Sequence, residues 1–142
     1  MAKLTSKQVQ GDIYHFLKDS TLSAMISGEV YRSGMRPRDS VLEDAVVTFV
    51  TGASDEVQTG VVVVNIFVRD IDPYDNGVLV EDSARTEEIE IAAAHWVDTL
   101  TCARGNYKFA LAATIQTFEE SAINQHFVAV RLRYRYWDGI NN

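Results

Sequence analysis

The side chains best suited to chemistry in this chain are three histidines and one cysteine. None of His15, His95 and His126 has a Cys, Asp, Glu or second His at the spacing of a zinc site. His95 lies beside Trp96, and a lone histidine on the flank of a helix is more often structural than a ligand. Cys102 has no partner for an intrachain disulfide, and the C-terminal end of a helix disfavours its thiolate. We therefore expect no catalytic residue, no metal and no cofactor.

An acidic loop offers the next candidate for chemistry. Asp70, Asp72 and Asp75 precede Asn76, which invites a calcium interpretation. The EF-hand series of oxygen ligands ending in glutamate is missing, so we interpret the segment as an ordinary loop. The chain also has no glycine-rich phosphate loop and no serine elbow. A small-molecule enzyme is accordingly the least favoured function for this chain.

The charges favour a protein partner over a nucleic acid. Twenty acidic and thirteen basic residues give a net charge of −7, which opposes non-specific binding to phosphate backbones. Acidic residues gather at positions 70–75 and 81–90. Basic residues gather in two other segments, and complementary patches of this kind suit head-to-side packing of identical copies. A mixed, solvated surface is the alternative interpretation. The candidate subunit-interface residues are Arg36, Arg38, Arg131, Arg133 and Arg135.

The last of these arginines belong to the clearest pattern in the sequence, a strand from about Phe127 to Trp137. Val128, Val130, Leu132, Tyr134 and Tyr136 alternate with the three arginines and fall on the opposite face. Sheets that bind single-stranded nucleic acid place aromatic platforms and basic groups on the same face, which is not the pattern here. The arginine side therefore indicates an intersubunit or ion-paired surface, because forked guanidinium donors match carboxylates.

The remaining elements position that strand within a single domain, residues 1–142. Periodicity predicts a helix from Ser6, as N-cap, to about Lys18, and a second helix that begins at Asp82 or Ser83 and is over by Gly105. Further strands are predicted at 29–33, 43–51, 57–69 and 106–118, with a short turn at 21–26. The fold class is α+β, in the order α-β-β-β-α-β-β: a mainly antiparallel sheet of four to five strands with two helices on one face. Neither a signal peptide nor a membrane-spanning run is apparent.

This arrangement resembles the tail terminator and tail-completion proteins of long-tailed bacteriophages and prophages. The resemblance runs over nearly the full chain and includes a glutamate-rich second helix. It is carried by Gly28–Tyr31, Arg36–Pro37, Glu43–Val47, the hairpin from Thr51 to Val68, and the final Arg133–Trp137.

The resemblance implies a structural protein of the virion rather than an enzyme. Such a protein is a subunit of a closed homo-oligomeric ring, commonly a hexamer, at the neck between tail tube and head. The ring stops tube polymerisation, joins the head connector and lets DNA pass without specific binding. It would assemble in the host bacterial cytoplasm, away from membranes. The alternatives are a non-catalytic protein-binding adaptor domain and, behind it, the small-molecule enzyme.

Overall fold

The structure is a computed structural model that describes residues 3–100 and 105–137. Within those ranges it contains three α-helices and six β-strands. Helices α1 to α3 are Ser6–Lys18, Thr21–Met25 and Ser83–Leu100. Strands β1 to β6 are Val30–Arg32, Ala45–Ser54, Gln58–Arg69, Tyr107–Leu111, Gln116–Glu120 and Gln125–Tyr136.

One mostly antiparallel sheet unites the strands in the order β1-β2-β3-β6-β4, and β5 also pairs with β6. Only β1 and β2 are parallel within the described sheet. The predicted α+β class is thus confirmed, with more strands than expected. The prediction of one strand over 106–118 was wrong, because the chain leaves the ladder between Leu111 and Gln116. Ala112 and Ala113 fall in this break, and alanine has little preference for a sheet.

The helices begin at capped positions, one of which differs from the prediction. Thr5, not Ser6, is the N-cap of α1, because its side chain accepts from the Gln8 amide while the Gln8 side chain accepts from the Thr5 amide. Ser20 caps α2, so the predicted short turn is a third helix. None of the described helices is both long and apolar enough to cross a membrane.

All three helices contribute to one hydrophobic core on a single face of the sheet. Ile13, Leu17, Leu22, Ile89 and Leu100 supply the helical side of that core and are at most 2% exposed. Alternate residues of the two long central strands supply the sheet side: Val62, Val64, Ile66, Val68, Val128, Val130, Leu132 and Tyr134. The predicted division of β6 into an apolar and an arginine face is therefore confirmed.

The opposite side of the sheet, which we call the outer face, has no helix packed on it among the described elements. A loop covers part of it: the Arg36 guanidinium carbon lies 4.1 Å from the ring centroid of Phe67. Val63 is only 7% exposed, although it lies outside the core cluster. Toward the other end of the strands Val50 is 50% exposed. The apolar run Val61–Val64 predicts a strand that is covered on both faces, and β3 is covered in this way over only part of its length.

A glycine inside α1 has a specific structural reason. A Cβ at Gly11 would lie 2.6 Å from Nη2 of Arg32, so the guanidinium occupies the space that a side chain at this position would take. The same guanidinium carbon lies 5.5 Å from the centroid of the Tyr14 ring. Gly11 destabilises the helix by about 1 kcal/mol relative to alanine. Its lack of a side chain allows α1 and β1 to pack closely.

Candidate interaction surface

Four cations lie together on the outer face at the C-terminal half of β6. We call Lys108, Arg131, Arg133 and Arg135 the arginine face; all four side chains are exposed. None of their charged groups forms an ion pair or a hydrogen bond with another described residue. This surface contains three of the five interface candidates that the sequence predicts.

Strand register places these cations directly beside one another. Lys108 of β4 pairs with Arg135 of β6, and Ala110 pairs with Arg133. On the other side of β6, Arg131 and Arg133 face Val63 and Val61 of β3. Like charges directly opposite each other in a sheet are destabilising. The isolated protomer therefore gains no electrostatic stability from the arginine face.

Arg36, a fourth candidate, lies elsewhere and has an internal role. Its Nε donates to the Asp44 carboxylate at 2.8 Å, and its side chain is 11% exposed while that of Asp44 is fully buried. Nη2 of Arg36 also donates to Oε1 of Gln125 at 3.0 Å. Gln125 begins β6, six residues before Arg131, a separation of about 20 Å along a strand. Arg36 is therefore not part of the arginine face.

The Asp44 carboxylate also accepts hydrogen bonds from neighbouring segments of the chain. It accepts from the Glu29 amide at 3.0 Å and from the Ser40 hydroxyl as well as from Arg36. Several donors on one buried carboxylate offset the cost of removing its charge from water. Arg38, the fifth candidate, is exposed on the same loop and belongs to neither group.

The histidines fall into two classes. His15 on α1 and His95 on α3 are exposed, and Cys102 lies outside the described residues. His126 is instead held between two carboxylates: Nδ1 lies 2.7 Å from Oδ1 of Asp70, and Nε2 lies 3.8 Å from Oε1 of Glu81. Because each ring nitrogen faces a different carboxylate, the ring links two chain segments. Sequence reasoning missed this contact, since the two partners are distant from His126 along the chain.

The acidic loop after β3 is shaped by hydrogen bonds to its own backbone. The Asp72 carboxylate accepts from the Asn76 and Gly77 amides at 3.1 and 2.8 Å. The Asn76 side chain in turn accepts from the Val78 amide at 3.0 Å. Over the described part of the chain, no three His, Cys, Asp or Glu residues are placed to hold a metal ion.

A groove of about 680 Å³ lies between this loop and the one that follows β1. We call it the loop groove. Its lining combines apolar side chains with four carboxylates and one arginine: Val41, Leu42, Val68, Ile71, Leu79, Glu43, Asp70, Asp72, Asp82 and Arg69, with Ser27. Val41 and Leu79 are 52% and 45% exposed, which is unusual for large apolar side chains that lie together.

Glu43, which lines the groove, has a carboxylate that an arginine holds in place. Nε and Nη2 of Arg85 donate to its two oxygens at 2.7 and 2.8 Å. These hydrogen bonds hold the pKa of Glu43 below its ordinary value, although partial burial acts in the opposite direction. The carboxylate is therefore ionised at neutral pH, and Arg85 of α3 fixes its position.

Comparison with known proteins adds little to this description. No family model matches the chain, and no curated protein matches it. One solved structure is similar with 15% sequence identity over 98% of this chain and 100% of its own, at a TM-score of 0.49. We draw neither fold nor function from a likeness at that level.

Proposed function

We propose that this chain is a ring-forming structural subunit of the tail terminator or neck type, and that its copies associate through the arginine face. The observation that carries the proposal is four adjacent, exposed cations without a partner among the described residues. They occur in a chain with a net charge of −7, whose remaining surface offers many carboxylates.

A protein partner suits this surface better than a nucleic acid. Tyr134 and Tyr136 lie on the core face, and the Tyr134 ring is only 2% exposed, so it offers no stacking platform. Arginine forks bind carboxylates in bidentate geometry and are common in protein interfaces. A second copy of this acidic chain brings such carboxylates at the same concentration as the arginines. Association through unlike surfaces then closes into a ring if the rotation between copies permits.

The ring accounts for the expected place of the protein in the virion. A closed ring at the end of the tail tube leaves no free tube-binding edge, which would stop polymerisation and leave its other side for the head connector. Neither step needs catalysis. Genes for tail-tube or portal proteins beside this one would agree with the proposal.

The test is the mass of the protein in solution, measured by size-exclusion chromatography with light scattering and followed by electron microscopy. We expect the wild type to form closed rings of several copies. Arg131→Glu/Arg133→Glu/Arg135→Glu should be monomeric, because the reversed charges would repel a carboxylate surface. Arg133→Glu alone should weaken the ring, whereas the matched Lys7→Glu, an exposed cation on α1, should leave it intact.

Two results would overturn the proposal. One is a wild type that stays monomeric at the highest concentration it tolerates. The other is a triple variant that assembles like the wild type. An adaptor domain that uses the arginine face for a different protein would give the first result, so the same experiment separates the two functions.

A further inference from the structure

We infer that the loop groove of one copy receives the arginine face of the next copy. This inference rests on the proposed function, because it assumes that the arginine face binds a second copy. It adds the identity of the surface that is bound. The two surfaces differ, so the contact is heterologous and each copy can engage two neighbours.

Exposed apolar side chains mark the groove as a surface that another molecule covers. Most of the large apolar side chains that are exposed in the described chain lie on the two loops that flank the groove. They are Met35, Val41, Leu42, Ile71, Tyr74, Val78, Leu79 and Val80, with exposures from 37% to 79%. Four of them, Val41, Leu42, Ile71 and Leu79, line the groove together, and clustered exposed apolar side chains on a soluble protein usually indicate an interaction site. The loops are held in shape by the Asp72 hydrogen bonds and by Asp44, so the patch is preformed.

Charge identifies the occupant. Four carboxylates line the groove with one lining cation, Arg69; Glu43 is paired with Arg85 and Asp70 contacts His126, which leaves Asp72 and Asp82 without an ion-pair partner among the described residues. The arginine face offers four exposed cations and no acidic residue. The groove thus offers carboxylates that lack a cation, and the arginine face offers cations that lack a carboxylate. Complementary potentials of this kind speed encounter and select one orientation.

The two surfaces cannot meet within one protomer. Arg69, in the groove, pairs with Gln125 at the start of β6, whereas Arg133 lies eight residues further along the same strand. Eight residues of a β-strand span about 26 Å, and the rigid central sheet keeps the surfaces at opposite ends. An arginine face that fills the groove must therefore belong to another copy.

The inference is tested with two variants that disable opposite halves of the contact. Val41→Lys/Leu79→Lys places cations in the groove at exposed positions, and Arg131→Glu/Arg133→Glu/Arg135→Glu disables the arginine face. We expect each variant alone to be monomeric. An equimolar mixture should form a one-to-one heterodimer and nothing larger, because only one productive contact remains between the two chains. Analytical ultracentrifugation measures this, and higher salt should weaken the heterodimer.

Ile91→Lys is the matched control, since Ile91 is 52% exposed on α3, outside the groove lining. It should assemble like the wild type. Thermal unfolding of every variant reports whether the fold survives, and Val41→Ser/Leu79→Ser replaces the lysine pair if that pair lowers the melting temperature.

The outcomes separate this inference from the proposed function. A wild type without self-association contradicts both. A wild-type ring that persists in the groove variants, or variants that form no heterodimer when mixed, overturns the groove assignment and leaves the arginine face in place.

Discussion

Arg36 and Arg133 both come from segments in which arginines alternate with other residues, yet their surroundings differ. Arg36 donates to a fully buried carboxylate and lies against an aromatic ring. Arg133 is exposed, and none of its charged atoms contacts an acidic group in the described chain. The difference follows from Asp44, which lies on the segment that carries the Arg36 loop back into the sheet.

Arg36 therefore stabilises the fold, whereas Arg133 remains free to contact another molecule. A buried pair contributes to stability as long as both partners are present, because either charge alone is strongly disfavoured in the interior. An unpaired exposed cation contributes almost nothing to stability and remains available to a partner. Stability and assembly should therefore respond to different substitutions.

The largest expected effect on stability is at the buried pair. Arg36→Ala leaves the Asp44 carboxylate without its cation and should lower the free energy of unfolding by about 3–5 kcal/mol. Urea unfolding at neutral pH measures the loss. A decrease below about 1 kcal/mol, the range of an exposed ion pair, would show that the pair does not behave as a buried one.

Tyr107→Phe tests a hydrogen bond between β4 and α1 on the core face of the sheet. The Tyr107 hydroxyl donates to Oδ2 of Asp12 at 2.7 Å, and burial together with this bond raises the pKa of Tyr107. Removing a hydrogen bond to a charged group should cost about 1.5–3 kcal/mol. The Asp12→Asn variant should lose less, because its amide oxygen can still accept. Equal stability of Tyr107→Phe and wild type would contradict the assignment.

Acid should weaken the Glu43 contact with Arg85. Because the folded-state pKa of Glu43 is lowered, its stabilising contribution is complete above its unfolded pKa, about 4.3, and is lost as the pH falls through the folded value. Glu43→Gln should therefore show a smaller loss of stability than the wild type over this acidic range, by less than about 1 kcal/mol for a partly exposed group. Unfolding curves from pH 5 to pH 3 would reveal it, and parallel curves would argue against the contact.

The smallest effects on stability are expected on the arginine face. Lys108→Glu turns the like-charged pair with Arg135 into an attractive one and should stabilise the monomer by about 0.2–1 kcal/mol. Arg133→Ala should change stability by less than about 0.5 kcal/mol. Thermal unfolding of monomeric preparations provides the measurement. A clear loss of stability in either variant would mean that this surface has a structural partner within the protomer.

The sequence predicts much of this fold because its strongest signals are local. The alternation in β6 correctly separates the core residues from the arginines, and helical periodicity locates α1 and α3. The break between β4 and β5 was missed, because alanines fit either a strand or an irregular segment. The N-cap was displaced by one residue, since Thr5 and Ser6 are both good caps.

Contacts between distant residues could not be predicted from local patterns. Arg36 was assigned to an interface because its neighbours are arginines, while its internal partner Gln125 is 89 residues away. Asp70 and His126 are 56 residues apart, and no motif links them. The loop groove likewise depends on two loops that only the folded sheet brings together.

Association through the arginine face can be tested most directly with a photo-cross-linking residue at Ala110, which is exposed and paired with Arg133. Irradiation of the assembled protein should join this position covalently to a second copy in high yield. The same residue at Lys7 should give only monomer. If position 110 yields no cross-linked dimer from assembled protein, the arginine face is not the contact between copies.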